Sequence, residues 1–182
     1  MMRAALLLSL ALLACRVGAE DVPICFNYAC AKVAVVRYEE AELEPVGRML
    51  AGASDAAAER SALAEAVARM YAIAASRTPI FRDRGENFDD DEVNDGRMDC
   101  IDHSTNTSSF LHLIEERGWL RHHGVMQRLR RFLFLQEHWA GRIAERASGQ
   151  QFTVDTWYFP PGHPAVVQPV AEWLQGRRPA PR

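Results

Sequence analysis

Shortages bound this chain before any motif does. Beyond Arg128, Arg130 and Arg131 it has no dense tract of lysine and arginine, and its net charge is −3. That argues against nucleic acid as the main partner. Cysteine is scarce at four residues, and beside Cys25 and Cys30 there is no second Cys or His pair at finger spacing. Zinc is therefore the lesser alternative to a disulfide there. The apolar run from Ala4 to Ala14 is too short to span a bilayer. No internal repeat and no second-domain boundary interrupts the 182 residues, a length that suits one domain with a real core and is short for two. With 25% charged and 48% hydrophobic residues, the composition is that of a globular protein, neither disordered nor fibrous.

What is present begins with a leader. Arg3 precedes the apolar run, and Val17-Gly18-Ala19 supplies small residues before Glu20. This layout predicts a secretory signal peptide over residues 1–19, with the mature chain in the periplasm or secreted. Leu12-Leu13-Ala14-Cys15 resembles a bacterial lipobox, so the alternative is an envelope protein lipid-anchored at Cys15, although Leu13 fits that pattern poorly. Export sets an oxidising compartment, in which Cys25 and Cys30 are expected to bridge around a tight turn. Cys100 is then the odd thiol.

Further along, Lys32–Tyr38 reads as a strand, and Glu39–Ala51 as a helix with Pro45 in its first turn. Asp55 is placed to cap a helix reaching Ser76, whose stripe of Leu63, Ala66, Val67, Met70, Ile73 and Ala74 marks it as a core element. Arg77–Gly96 lacks periodicity. Its acidic cluster Asp89–Glu92 hints at calcium but fails the EF-hand pattern at Val93. A helix is expected from Cys100 to Arg117, stopped by Gly118. Strands are expected over Val125–Leu135, His138–Ala147 and Gln151–Trp157, with a turn at Ser148-Gly149. Ala165–Gln175 is a short closing helix or irregular segment, and 177–182 a frayed tail. Helices followed by an antiparallel sheet make the class α+β, a single domain over residues 20–176.

The chemistry centres on Gly96-Arg97-Met98-Asp99-Cys100-Ile101-Asp102-His103. Ser104, Thr107, Leu111 and Ile114 share one helical face, which puts Cys100 at a helix N-terminus on the buried side. Amide groups and the helix dipole there favour a thiolate; a small buried core cysteine is the alternative. A thiol nucleophile needs a base, and the base needs an orienting group. Of the six histidines, His103 and His112 lie on the Cys100 helix, and His122-His123 occupy a connection where exposure is usual. His163 sits in a proline-rich turn. His138 opens a strand, and Asp155 on the next strand has the parity to face the same side. A two-residue turn at Ser148-Gly149 would set Asp155 opposite Arg142, about 13 Å from His138, so contact requires a bulge or an asymmetric loop between Glu145 and Gln151.

The order Asp99-Cys100-Ile101-Asp102 opening a helix, His138-Trp139 opening a strand, and Val154-Asp155 on the next resembles the transglutaminase-like cysteine peptidases, in particular the bacterial transglutaminase-like cysteine proteinases. Asp155-Thr156-Trp157 is also similar to papain-like enzymes, in which an aromatic ring shields the residue that orients the histidine. The resemblance covers residues 80–160 and implies a papain/transglutaminase-like fold with the Cys helix packed on an antiparallel sheet. It implies a Cys100–His138–Asp155 triad: thiolate nucleophile, proton carrier, and tautomer-fixing carboxylate. The substrate implied is a protein or peptide of the cell envelope, with membrane contact only through a lipid at Cys15. The sequence departs from the family at Ile101, where an acidic residue usually follows the cysteine, so no cofactor is expected. Asp99 and Asp102 remain the candidate calcium ligands, or else helix-capping groups. One oxyanion donor would be the Cys100 amide, with Asn87 a candidate for the second. Acyl transfer to an amine on the same fold, and a non-catalytic envelope binding module, are the alternatives.

Overall fold

A computed structural model describes residues 18–87 and 95–179. Residues 1–17 of the expected leader with Cys15, the acidic cluster Asp89–Glu92 and the last three residues lie outside them.

The chain opens with a hairpin. β1 (Glu20–Phe26) and β2 (Lys32–Tyr38) pair antiparallel from Glu20↔Tyr38 to Phe26↔Lys32. β1 is absent from the sequence expectation, yet its period of two is plain: Val22, Ile24 and Phe26 are buried while Asp21 and Pro23 are exposed. Between the strands Asn27, Tyr28, Ala29 and Cys30 take φ of 66°, 61°, 49° and 56°. Left-handed backbone costs roughly 1 to 2 kcal/mol for each residue with a Cβ, so this turn needs support. The Cys25–Cys30 disulfide, with Cα atoms 4.6 Å apart, closes it.

α1 (Glu40–Ala51) starts at a capping box formed by Glu39 and Glu42 and buries Leu43, Val46 and Leu50. Pro45 lies inside this helix rather than in its first turn. α2 (Ala56–Ala75) is capped by the Asp55 carboxylate, which accepts the Ala58 amide at 2.8 Å. Leu63, Ala66, Val67, Met70 and Ala74 are buried along it, as its stripe predicts. The following loop contains one turn of 3-10 helix, Pro79–Arg82.

α3 (Cys100–Glu116) is the central helix, and Gly118 at φ 71° ends it. Ser104, Thr107, Leu111 and Ile114 are all buried. So are His103, Asn106 and Phe110, because α3 is enclosed by α2, the hairpin and the sheet together. Tyr71 and Tyr38 meet Phe110 edge-on, with ring centroids 5.0 and 6.0 Å apart. No helix among the described residues is long and apolar enough to cross a membrane.

β3 (His123–Leu133), β4 (Gln136–Glu145), β5 (Gln151–Asp155) and β6 (Val166–Pro169) form one antiparallel sheet in that order, followed by a single-turn helix, α4 (Val170–Leu174). The chain is thus mixed, with helices set against antiparallel strands. β6 replaces part of the expected closing helix. Phe134 and Leu135 form the β3–β4 turn, so His138 is the third residue of its strand rather than the first. A bulge at Gln127-Arg128 breaks the β3–β4 register between Met126 and Leu129. Gly141 in β4 lies directly beneath α3: a Cβ there would meet Thr107 Cγ2 at 3.0 Å and Leu111 Cδ1 at 3.2 Å. That close approach seats the middle of α3 on β4.

Candidate active site

The front of α3 is a tight cap. Asp99 Oδ1 accepts the amides of Ile101 and Asp102, both at 2.9 Å, and Asp102 Oδ2 accepts the Asp99 amide at 3.3 Å. The remaining oxygens reach the hairpin turn: Asp99 Oδ2 takes the Ala29 amide at 2.9 Å and Asp102 Oδ1 the Cys30 amide at 2.6 Å. These two candidate calcium ligands therefore act here as helix caps and as clamps on the turn. Cys25, Cys30 and Asp102 converge within 4.8 Å, but the two sulfurs are bonded to each other and offer no thiolate to a metal.

Cys100, the free cysteine among the described residues, is half-buried. Its thiol donates to the Glu137 carbonyl at 4.0 Å, and the Trp139 backbone amide donates to the sulfur. Burial pushes the thiol up to about 11; the Trp139 amide opposes this, and the carboxylates of Asp99, Asp155 and Glu137 reinforce it. This reverses the expected fall in pKa. Burial is the main cause, and the helix end offers little to oppose it: the amides of Ile101 and Asp102 that would favour a thiolate already hold the Asp99 carboxylate.

His138 and Asp155 do meet. His138 Nε2 lies 2.7 Å from Asp155 Oδ2. The β4–β5 connection is not a two-residue turn at Ser148-Gly149; the Gly149 amide bonds the Glu145 carbonyl and the Glu145 amide bonds the Gln150 carbonyl, both at 2.8 Å. This longer connection sets Gly141 opposite Val154. The register continues to Ala140 opposite Asp155, and His138 is its diagonal neighbour on the same face, within reach of an imidazole. Asp155 also accepts the Trp173 indole N–H at 2.9 Å and the Trp157 amide at 3.2 Å. Burial acts to raise its pKa, but the His138 imidazole together with the Trp173 and Trp157 donors outweighs burial and holds it below the usual carboxylate range. Three rings box the imidazole, with centroids at 4.8 Å (Trp157), 5.6 Å (Trp173) and 6.0 Å (Tyr158). The sequence contained no signal for Trp173 at this place, because it comes from the turn of helix after β6.

Cys100 and His138 line one cleft of about 540 Å³, with Tyr28, Leu133, Leu135, Glu137, Trp157 and Tyr158 among its other walls. No hydrogen bond joins the thiol to the imidazole among the described residues, and Nδ1 is the ring nitrogen left for one. Asn87 also lines the cleft, but its side-chain amide donates to Asp83 Oδ1 at 2.6 Å and to the Met98 carbonyl at 3.5 Å instead of into the space.

No family model, curated protein or solved structure matches the chain.

Two other imidazoles are bound away from the cleft. His103 does not approach the thiol; its ring is buried between Asp83 Oδ2 and Thr156 Oγ1, each at 3.0 Å. His123, expected in an exposed connection, is fully buried with Nδ1 2.8 Å from Glu59 Oε1. Glu59 also takes the backbone amides of Arg121, His122 and His123, and so draws this segment inward. The pair that shares a cleft with a thiol is His138–Asp155.

Proposed function

We propose that the protein is an exported thiol-dependent amide hydrolase, resembling the transglutaminase-like cysteine peptidases in fold and in its Cys100–His138–Asp155 triad. The observation that supports this most is a buried His138–Asp155 pair opening on the same cleft as the free thiol. Asp155 accepts a hydrogen bond from Nε2–H, which fixes the tautomer with the Nδ1 lone pair toward the cleft. In the resting protein Cys100 is a neutral thiol. Rotation about its χ1 turns the sulfur from the Glu137 carbonyl toward Nδ1, which removes the proton as sulfur attacks the amide carbonyl. The Cys100 amide donates to the developing oxyanion. Imidazolium protonates the departing amine, leaving a thioester, and water activated by His138 releases the acid. The disulfide supports a periplasmic or secreted setting. An envelope protein or peptide is the proposed substrate.

The orientation of the thiol toward Glu137 favours one second reading, a non-catalytic binding module on the same fold. Incubation with denatured protein substrates, with and without a primary amine, separates the cases. New peptide termini mark hydrolysis, amine incorporation marks acyl transfer, and neither product from wild-type protein leaves the binding module.

A further inference from the structure

The turn closed by the disulfide is seated on the cap of the helix that carries the nucleophile. Four successive residues with side chains, Asn27 to Cys30, hold left-handed backbone, a conformation usually visited by single residues. Two kinds of support keep them there. One is the covalent bridge from Cys25 in β1 to Cys30 at the end of the turn. The other is a set of bonds made available by the curl: the amides of Ala29 and Cys30 point at Asp99 and Asp102, and Asn27 bonds the Arg97 carbonyl at 2.7 Å and the Gly96 amide at 2.8 Å. The same turn presents Tyr28 to the cleft beside Cys100. Bridge, cap and nucleophile are therefore one continuous set of contacts.

We propose that the Cys25–Cys30 disulfide is a redox switch for the Cys100 site, opened by a dithiol reductant. Its effect on activity rests on the thiol-hydrolase reading; its effect on the helix cap does not. Cys25 is buried and Cys30 half-exposed, so a thiolate of the reductant attacks the Cys30 sulfur. A mixed disulfide forms at Cys30, and Cys25 leaves as a thiolate that takes up a proton. The second thiol of the reductant then displaces Cys30, which is protonated in turn. The protein gains two electrons and two protons, and the reductant departs as its cyclic disulfide. Without the bridge the left-handed residues relax to ordinary backbone, and the Ala29 and Cys30 amides leave the carboxylates. Asp102 is fully buried, so its carboxylate loses a bond it needs when the Cys30 amide leaves. The cap loosens, and Tyr28 withdraws from the cleft.

The test reads the cap and the thiol separately. Hydrogen exchange at Ile101 and Asp102 is compared in oxidised protein, in protein reduced with dithiothreitol, and in the Cys25→Ser/Cys30→Ser double variant. Acetylation of Cys100 by p-nitrophenyl acetate is compared in oxidised protein and the double variant. Breaking the bridge should speed exchange at the cap by about tenfold or more while leaving α2 protected. It should slow acetylation by a similar factor, and adding Ala29→Gly, which relieves one left-handed residue and keeps its backbone bond to Asp99, to the double variant should recover part of both. Equal exchange and equal acetylation with and without the bridge overturn the switch. If oxidised protein is never acetylated although exchange responds to reduction, the hydrolase reading falls and the coupling of bridge to cap stands.

Discussion

Asp155 accepts three bonds, from His138, Trp173 and the Trp157 amide, and each holds the imidazole in one orientation. Trp173→Phe keeps the ring over His138 but removes one donor from the carboxylate. A bond to a charged group contributes about 1.5 to 3 kcal/mol, so activity should fall by roughly ten- to a hundredfold. The sign of the pH effect follows: Asp155 is held below its ordinary range, and losing a donor lets its pKa rise. The acid limb of a pH–activity profile should therefore move to higher pH in this variant. An unmoved limb would show that Trp173 is only packing. Cys100 supplies a second prediction at this scale. A thiol pushed up to about 11 is protonated at neutral pH, so iodoacetamide should label it more slowly at pH 7 than a model thiol, with the rate climbing above pH 9. Fast labelling at pH 6 would mean a preformed thiolate–imidazolium pair.

At the scale of elements, the site depends on how α3 and β4 meet. Gly141→Ala would place a Cβ 3.0 Å from Thr107 and 3.2 Å from both Leu111 and the Val154 carbonyl. Overpacking of this kind costs about 1 to 3 kcal/mol, and urea unfolding should show it. Because the strain lifts the helix from the strand, activity should drop in the folded variant as well. The α3 face, the Asp55 cap and the α2 stripe were legible in the sequence because local periodicity and capping determine them. The parity of His138 and Asp155 was legible too. Their contact was not, since it depends on a pairing register two residues displaced from the one that a turn at Ser148-Gly149 gives. β1 was missed although its alternation is local and its partner β2 follows after one turn; β6 and the position of Trp173 were missed because contacts with β5, across the proline-rich connection, fix them. Residues 1–17 of the expected leader fall outside the described residues.

Across the whole molecule, buried carboxylates act in opposite directions with pH. Glu59 and Asp155 are held below their usual range, because their donors outweigh burial. They contribute stability above the ordinary carboxylate pKa, and it is lost as pH falls through their folded values. Asp102 is the reverse. With its pKa raised to about 6, the folded protein binds the proton more tightly than the unfolded chain, so stability drains away as pH rises from the ordinary carboxylate value toward 6. Asp102→Asn removes that dependence but also weakens the cap. Thermal unfolding from pH 4 to 7 should show the deficit of the variant shrinking by up to about 3 kcal/mol, the equivalent of a two-unit shift. Parallel curves would show that Asp102 does not titrate in this window.

The triad is tested most directly by following acetyl transfer from p-nitrophenyl acetate in oxidised wild-type protein, His138→Ala and Asp155→Asn, with mass analysis of the labelled peptide. The wild type should release a burst of nitrophenol equal to the protein present and carry one acetyl group on Cys100. His138→Ala should lose the burst, and Asp155→Asn should slow it by about a hundredfold or more, because the imidazole is left in the wrong tautomer. Acetylation of Cys100 at the same rate in all three proteins, or none in the wild type, would contradict the assignment.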